Sequence, residues 1–161
     1  METSTAPIAP TSQGSPIPLD LSTAPHVVLI TIDTLRADHL KLYGHTRETA
    51  PAISALATQG VTFMDAVAPA PWTLPTLASI HSSLYPSEHS VIGAKTRLNN
   101  SVETLAETLR RAGYRTIGVV SNRFASINYG MAQGFDDFDD SQIVGHHDLS
   151  SAGLTRIAIE K

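Results

Sequence analysis

The run His26-Val-Val-Leu-Ile-Thr-Ile-Asp33 constrains this chain most. Its six apolar or β-branched residues leave no polar face. That pattern suits a strand buried on both sides, as in a parallel sheet. The run closes on a carboxylate, and open α/β sheets collect ligands beyond the carboxyl ends of their strands. Asp33 therefore reads in two ways: as an oxygen ligand for a hard divalent cation, or as the cap of the helix that follows. On position alone both readings stand.

The rest of the chain supplies elements to go with such a strand. Thr34 to Leu42 reads as a short helix, broken at Gly44. Thr49 and Pro51 suit a cap and an early helical proline, opening a helix with Ile53, Leu56 and Ala57 on one face that stops at Gly60. Val61 to Ala68 is a second extended segment. Helix is predicted over about residues 74–84, with Leu77, Ile80 and Leu84 as its stripe. Another spans Asn100 to Ala112, capped by Asn100 with Glu103 in the first turn. Its stripe is Val102, Leu105, Ala106 and Leu109, and Gly113 ends it. Tyr114 to Ser121 follows as a strand, so strand–helix–strand spacing favours a right-handed βαβ crossover. Gly134-Phe-Asp-Asp-Phe-Asp-Asp140 reads as an acidic loop, and Leu149 onward as a helix start. The expected fold class is α/β: an open, mainly parallel sheet flanked by helices, truncated at residue 161.

Composition removes several functions. A net charge of -4 offers no basic footprint for nucleic acid and no polybasic membrane anchor. The absence of cysteine removes disulfides and thiolate chemistry. No apolar run is long enough to span a bilayer. Residues 1–25, rich in Pro, Ser, Thr and Ala, read as a disordered lead without the basic start and apolar run of a signal peptide. Localisation and oligomeric state stay open.

Chemistry concentrates in Pro69-Ala-Pro-Trp-Thr-Leu-Pro-Thr-Leu-Ala-Ser-Ile-His-Ser-Ser-Leu-Tyr-Pro86. Thr73 sits where a helix begins. Unpaired N–H groups and the positive dipole end there suit an alkoxide or a bound oxyanion. An alcohol becomes a useful nucleophile only when a metal or base activates it, and an ordinary threonine N-cap explains the same placement. The remaining candidates have plainer readings. His39, His45, His81 and His89 make no recognised metal spacing, and His81 suits packing beside its helix's stripe. His146-His147-Asp148 and the aspartates from Asp136 to Asp140 suit solvated loops. Arg36 and Lys95 are single basic residues. No G-x-G-x-x-G or G-K-[ST] motif is present, which argues against the common nucleotide folds.

Three stretches together resemble the N-terminal part of the sulfatase family, within the alkaline phosphatase superfamily. They are Val27-Val-Leu-Ile-Thr-Ile-Asp-Thr-Leu-Arg-Ala-Asp-His-Leu40, Thr49-Ala-Pro-Ala-Ile-Ser-Ala-Leu-Ala-Thr-Gln-Gly-Val-Thr-Phe63, and Trp72-Thr-Leu-Pro-Thr-Leu-Ala-Ser-Ile-His-Ser-Ser-Leu-Tyr-Pro86. Gly113-Tyr-Arg-Thr116 and Gly134-Phe-Asp136 add to the likeness, which runs over roughly residues 26–160. It implies a fold like alkaline phosphatase, with residues 26–161 as the N-terminal portion of a catalytic domain.

The resemblance makes Asp33 the first metal-binding aspartate and Thr73 the nucleophile, also touching the metal. Thr34 stands where many members have a second aspartate. Thr73 replaces the cysteine or serine that becomes formylglycine, and Leu77 replaces the motif arginine. Asn122 and Arg123 fall where typical members present basic residues to the sulfate. The implied cofactor is a divalent cation (calcium, magnesium, manganese or zinc). The implied substrate is a sulfate or phosphate ester of a small molecule, glycan or lipid. Two other readings remain: an inactive remnant or interaction domain on the same fold, and an unrelated doubly wound binding domain. An incomplete sheet of this kind would leave an apolar edge exposed.

Overall fold

The computed structural model describes Asp20, residues 22–143 and residues 151–161. The His146-His147-Asp148 cluster and nearly all of the lead lie outside that range. The architecture is α/β. Two parallel strands, β1 (Ile117–Val119) and β2 (Asp137–Asp139), pair in the register Ile117 to Asp137, Gly118 to Phe138 and Val119 to Asp139. Five helices accompany them: α1 (Pro51–Ala57), α2 (Thr73–Ser82), α3 (Pro86–His89), α4 (Leu105–Arg111) and α5 (Ser151–Glu160). Short 3-10 turns fill Ala37–His39, Lys41–Tyr43, Arg123–Ala125 and Ile127–Tyr129. No helix among the described residues is long and apolar enough to cross a membrane.

The core is built around α2. Leu74, Leu77 and Ala78 recur at i, i+3 and i+4, and they bury against Val91, Leu98, Ala125 and Met131. Burying a side chain such as Leu74 contributes roughly 1.5–3 kcal/mol, so the best-anchored helix of the chain is the one that begins at Thr73. Of the expected stripe Leu77, Ile80 and Leu84, Leu77 alone is buried. Ile80 is 38% exposed, and α2 stops at Ser82 because Ser83 turns left-handed at φ 59°.

The helix before β1 is also shorter than its pattern. Thr104, not Asn100, caps α4: its Oγ1 accepts from the Glu107 amide at 3.2 Å, while Glu107 accepts from the Thr104 amide at 2.9 Å. Glu103 pairs with Arg111 instead of serving the first turn. Gly113, at φ 96°, ends the element as expected. At α1, Pro51 takes its expected early place, but Thr49 gives its hydroxyl to the His39 carbonyl and caps nothing.

Three strand expectations change. Residues 26–32 join no ladder, and Val27, Val28, Leu29, Ile30 and Ile32 are all more than half exposed. Residues 61–68 behave likewise. A buried parallel strand needs hydrogen-bonded neighbours and cover on both faces, and the described residues provide neither. The tie to β1's side is the Tyr114 hydroxyl, which donates to the Pro25 carbonyl at 3.1 Å. The expected strand–helix–strand crossover gives way to a parallel β1–β2 pair joined through 3-10 turns. The third change lies in the acidic loop, which supplies β2. Its Asp136 carboxylate accepts from the Thr116 amide and hydroxyl at 2.9 and 3.1 Å, and Phe138 packs over Gly118, where a Cβ would meet its ring at 2.7 Å.

Candidate functional site

Three residues from distant parts of the chain meet, two of them on the carboxylate of the third. The Thr73 hydroxyl donates to Asp33 Oδ1 at 3.0 Å, and Asn122 Nδ2 donates to Asp33 Oδ2 at 2.8 Å. Each is delivered by an element end. Asp33 closes the extended residues 26–32, Thr73 is the first residue of α2, and Asn122 follows β1 and opens the turn Arg123–Ala125.

Neither capping explanation survives this geometry. Trp72 holds the N-cap position of α2 in extended conformation, and no side chain caps it. The Thr73 hydroxyl points instead to a partner forty positions away. The Asp33 carboxylate likewise takes no backbone N–H of the turn that follows; its donors are side chains. Thr34, next to it, adopts φ 57°. A β-branched residue there is strained, by on the order of 1–3 kcal/mol, and such strain gathers at functional turns.

The three residues border a cavity of about 510 Å³, which Thr34, Trp72 and Leu154 also line. Asp33 is the one charged side chain in its described lining. Leu77, where the resemblance places an arginine, is 9% exposed and packs in the core. Asn122 is brought to the site. Arg123 is exposed and does not border the cavity. Arg36 is turned to Asp38, with Nη2–Oδ2 at 2.6 Å and Nε–Oδ1 at 2.9 Å.

Among the described residues, His39, His45, His81 and His89 are engaged in ring or hydrogen-bond contacts. His81 meets Phe135 edge-on at 6.1 Å, and burial lowers its imidazole below the ordinary value. His39 and His45 stack at 5.6 Å. His89, which sequence reading set aside, is 3% exposed. Its Nδ1 accepts from the Val91 amide at 3.0 Å and its Nε2 meets Ser79 Oγ at 3.0 Å, tying the segment after α3 to α2. Its spacing carries no signal of this role. Trp72 and Phe124 also went without a role: their rings meet edge-to-face at 5.4 Å and 88°.

A divalent cation needs about six oxygens and more than one anchoring carboxylate. The site offers oxygen donors in Asp33, Thr34 and Thr73, which fit in kind. They do not fit in number or charge. Both Asp33 oxygens already accept hydrogen bonds, and among the described residues no group of three or more His, Cys, Asp or Glu side chains could hold a metal.

Comparisons with known proteins identify the relatives of this chain. The chain is 32% identical over 104 residues to an N-acetylgalactosamine-6-O-sulfatase of Bacteroides thetaiotaomicron, covering 62% of this chain and 20% of that protein. It is 30% identical over 93 residues to an arylsulfatase of Clostridium perfringens, covering 57% and 19%. A crystal structure of a candidate sulfatase from Bacteroides thetaiotaomicron superposes with TM-score 0.57 at 25% identity, over 65% of this chain and 23% of that one. The chain thus spans about a fifth of the length of the curated relatives it matches. A sequence model of the sulfatase family matches residues 25–150, and the chain belongs to that family.

Proposed function

We propose that this chain carries the nucleophile side of a sulfatase-like ester hydrolase, with Thr73 as nucleophile and Asp33 as its proton acceptor. The observation that carries the reading is the Thr73–Asp33 hydrogen bond at 3.0 Å, made at the start of a helix. A nucleophile within hydrogen-bond reach of a base, itself oriented by a third group, is the arrangement nucleophilic catalysis requires.

The chemistry follows from the atoms present. Thr73 Oγ1 attacks the sulfur or phosphorus of an ester and forms a new S–O or P–O bond. Its proton passes to Asp33 Oδ1 and on to the departing alkoxide, which leaves as an alcohol. Water then cleaves the sulfo- or phospho-threonine and restores the hydroxyl. The N-terminus of α2 places unpaired N–H groups and a positive dipole end beside the transferring group. The resemblance implies a divalent cation, to which Asp33 and Thr73 would be this chain's described contribution. The substrate class is a sulfate or phosphate ester of a small molecule, glycan or lipid. Phosphoryl transfer suits a threonine that cannot become formylglycine.

The test is incubation with an aryl sulfate and an aryl phosphodiester, followed by peptide mass spectrometry. The Thr73 peptide should gain one sulfuryl or phosphoryl group, and turnover should vanish in Thr73→Ala. Turnover in that variant equal to the unmodified protein would refute the assignment. A second reading, an interaction domain without turnover, is favoured by the exposed apolar residues 26–32. It predicts no mass gain with either ester.

A further inference from the structure

We infer that Asn122 is a positioning residue for Asp33, holding the carboxylate so that its other oxygen takes the Thr73 hydroxyl. This role rests on the reading of Thr73 as nucleophile. It differs from contact with the substrate, which is what the residue's place in the chain suggests.

Both ends of the Asn122 amide are already used. Oδ1 accepts from the Phe124 backbone N–H at 2.8 Å. That donor can only donate, so it fixes which end of the amide is oxygen. Nδ2 is thereby turned to Asp33 Oδ2 at 2.8 Å. Asp33 therefore cannot rotate about its carboxylate axis without breaking one of its two bonds, and Oδ1 stays aimed at Thr73.

A second contact fixes the same geometry from behind. Trp72 precedes Thr73, and Phe124 follows Asn122 by two positions. Their edge-to-face rings hold together the two backbone segments that present donors to Asp33. Phe124 continues to Tyr129 at 5.2 Å, beside the buried core. The two donors thus hang from one packed aromatic unit, while Asp33 itself lies on an exposed, unpaired segment. A carboxylate on so lightly held a backbone depends on its side-chain partners for orientation.

The test separates the donor role from turn capping. Asn122→Ser keeps a hydroxyl able to cap the Phe124 amide, but the shorter side chain has no atom where Nδ2 stood. Asn122→Ala removes both functions. Each variant, the unmodified chain and Thr73→Ala are treated in chelator-containing buffer with a fluorophosphonate probe. Labelling at Thr73 is timed by peptide mass spectrometry, and the Thr73 methyl resonance is recorded by NMR. Both Asn122 variants should label more slowly, by on the order of 100-fold, and should shift the Thr73 methyl resonance. The Phe124 amide should keep its exchange protection in Asn122→Ser. Labelling and methyl shift unchanged in Asn122→Ser, with only Asn122→Ala impaired, would overturn the positioning role and leave a turn cap. Equal labelling of the unmodified chain and Thr73→Ala by intact mass, or a label found only on other peptides, would instead sink the nucleophile reading, and the methyl shift would still decide on Asn122.

Discussion

His89→Ala is expected to loosen α2, the helix that begins at Thr73, from a distance. The imidazole is buried between α2 and the segment that follows α3, with one ring nitrogen on the Val91 amide and the other on Ser79 Oγ. Truncation leaves both groups buried without a partner. Each such group costs about 1–3 kcal/mol, so the lower bound for the pair is about 2 kcal/mol before any cavity is counted. That corresponds to roughly a 30-fold rise in the local opening equilibrium. Amide hydrogen exchange reads it directly, because the Val91 N–H is itself the donor. Local opening also needs no all-or-none unfolding transition. Val91 protection should fall by about 30-fold or more, with a smaller fall across α2.

The same contact fixes the pH dependence. Burial lowers the His89 pKa, opposed by backbone contacts at Pro75 and His89 itself and by the charge of Glu88. The folded state therefore favours the neutral ring, which alone can accept from Val91. The unfolded chain takes up its proton near the ordinary value of 6.5. His89's contribution is complete above that pH and is lost as pH falls through it toward the lowered folded value. His81, lowered by burial, adds a loss of the same sign. His89→Asn keeps an acceptor but cannot titrate, so its Val91 protection should fall less on acidification, by the part that His81 contributes. Wild-type protection of Val91 in His89→Ala would refute the reasoning, as would an acid-induced fall in His89→Asn equal to that of the unmodified protein.

Two further substitutions probe the frame around the site. Leu77→Arg should destabilise the chain by about 3 kcal/mol or more, since it sets an unpaired charge in the core. Limited proteolysis would show it, and a variant as protease-resistant as the unmodified chain would refute it, the new guanidinium then reaching into the Asp33 cavity that Leu77 also borders. Thr104→Ala should cost about 1–2 kcal/mol at the start of α4, because Oγ1 also donates its one proton, to the Gln133 carbonyl or to Glu107 Oε2, each at 3.1 Å. Exchange at the Glu107 amide reports it, and unchanged protection there would remove the capping box from the account.

The site was legible because its parts lie at element ends, where residue type carries meaning. Asp33 after an apolar run and Thr73 ahead of a proline stand out locally, each with a capping role as the alternative, while Asn122 entered only through the family resemblance. The partners of each part were not legible, since no local pattern encodes a contact forty or ninety positions away. The capping of α4 shows the same limit on a smaller scale. Asn100-x-x-Glu103 and Thr104-x-x-Glu107 match one motif equally well. Gln133 separates them, by donating to Glu107 Oε2 at 2.8 Å while its backbone carbonyl accepts from Thr104.

The strand expectations for residues 26–33 and 61–68 failed for a related reason, while Tyr114 to Ser121 kept a strand at Ile117–Val119. Residues 26–32 have the composition of a doubly buried strand, yet composition states only what a segment can bury and not what covers it. Where cover is present, even an acidic sequence forms the sheet: Asp137–Asp139 pairs with β1 because Phe138 reaches over Gly118 and Thr116 binds Asp136. Asp33 stands at the junction of these two cases. Its own segment is unpaired, and its carboxylate is nonetheless fixed from two sides by well-packed elements. The orientation of the site therefore depends less on residues 26–32 than on α2 and the turn after β1. Substitutions at Asn122 or His89 should disturb Thr73 more than conservative changes at Val28 or Ile30, which face solvent at 79% and 75% exposure.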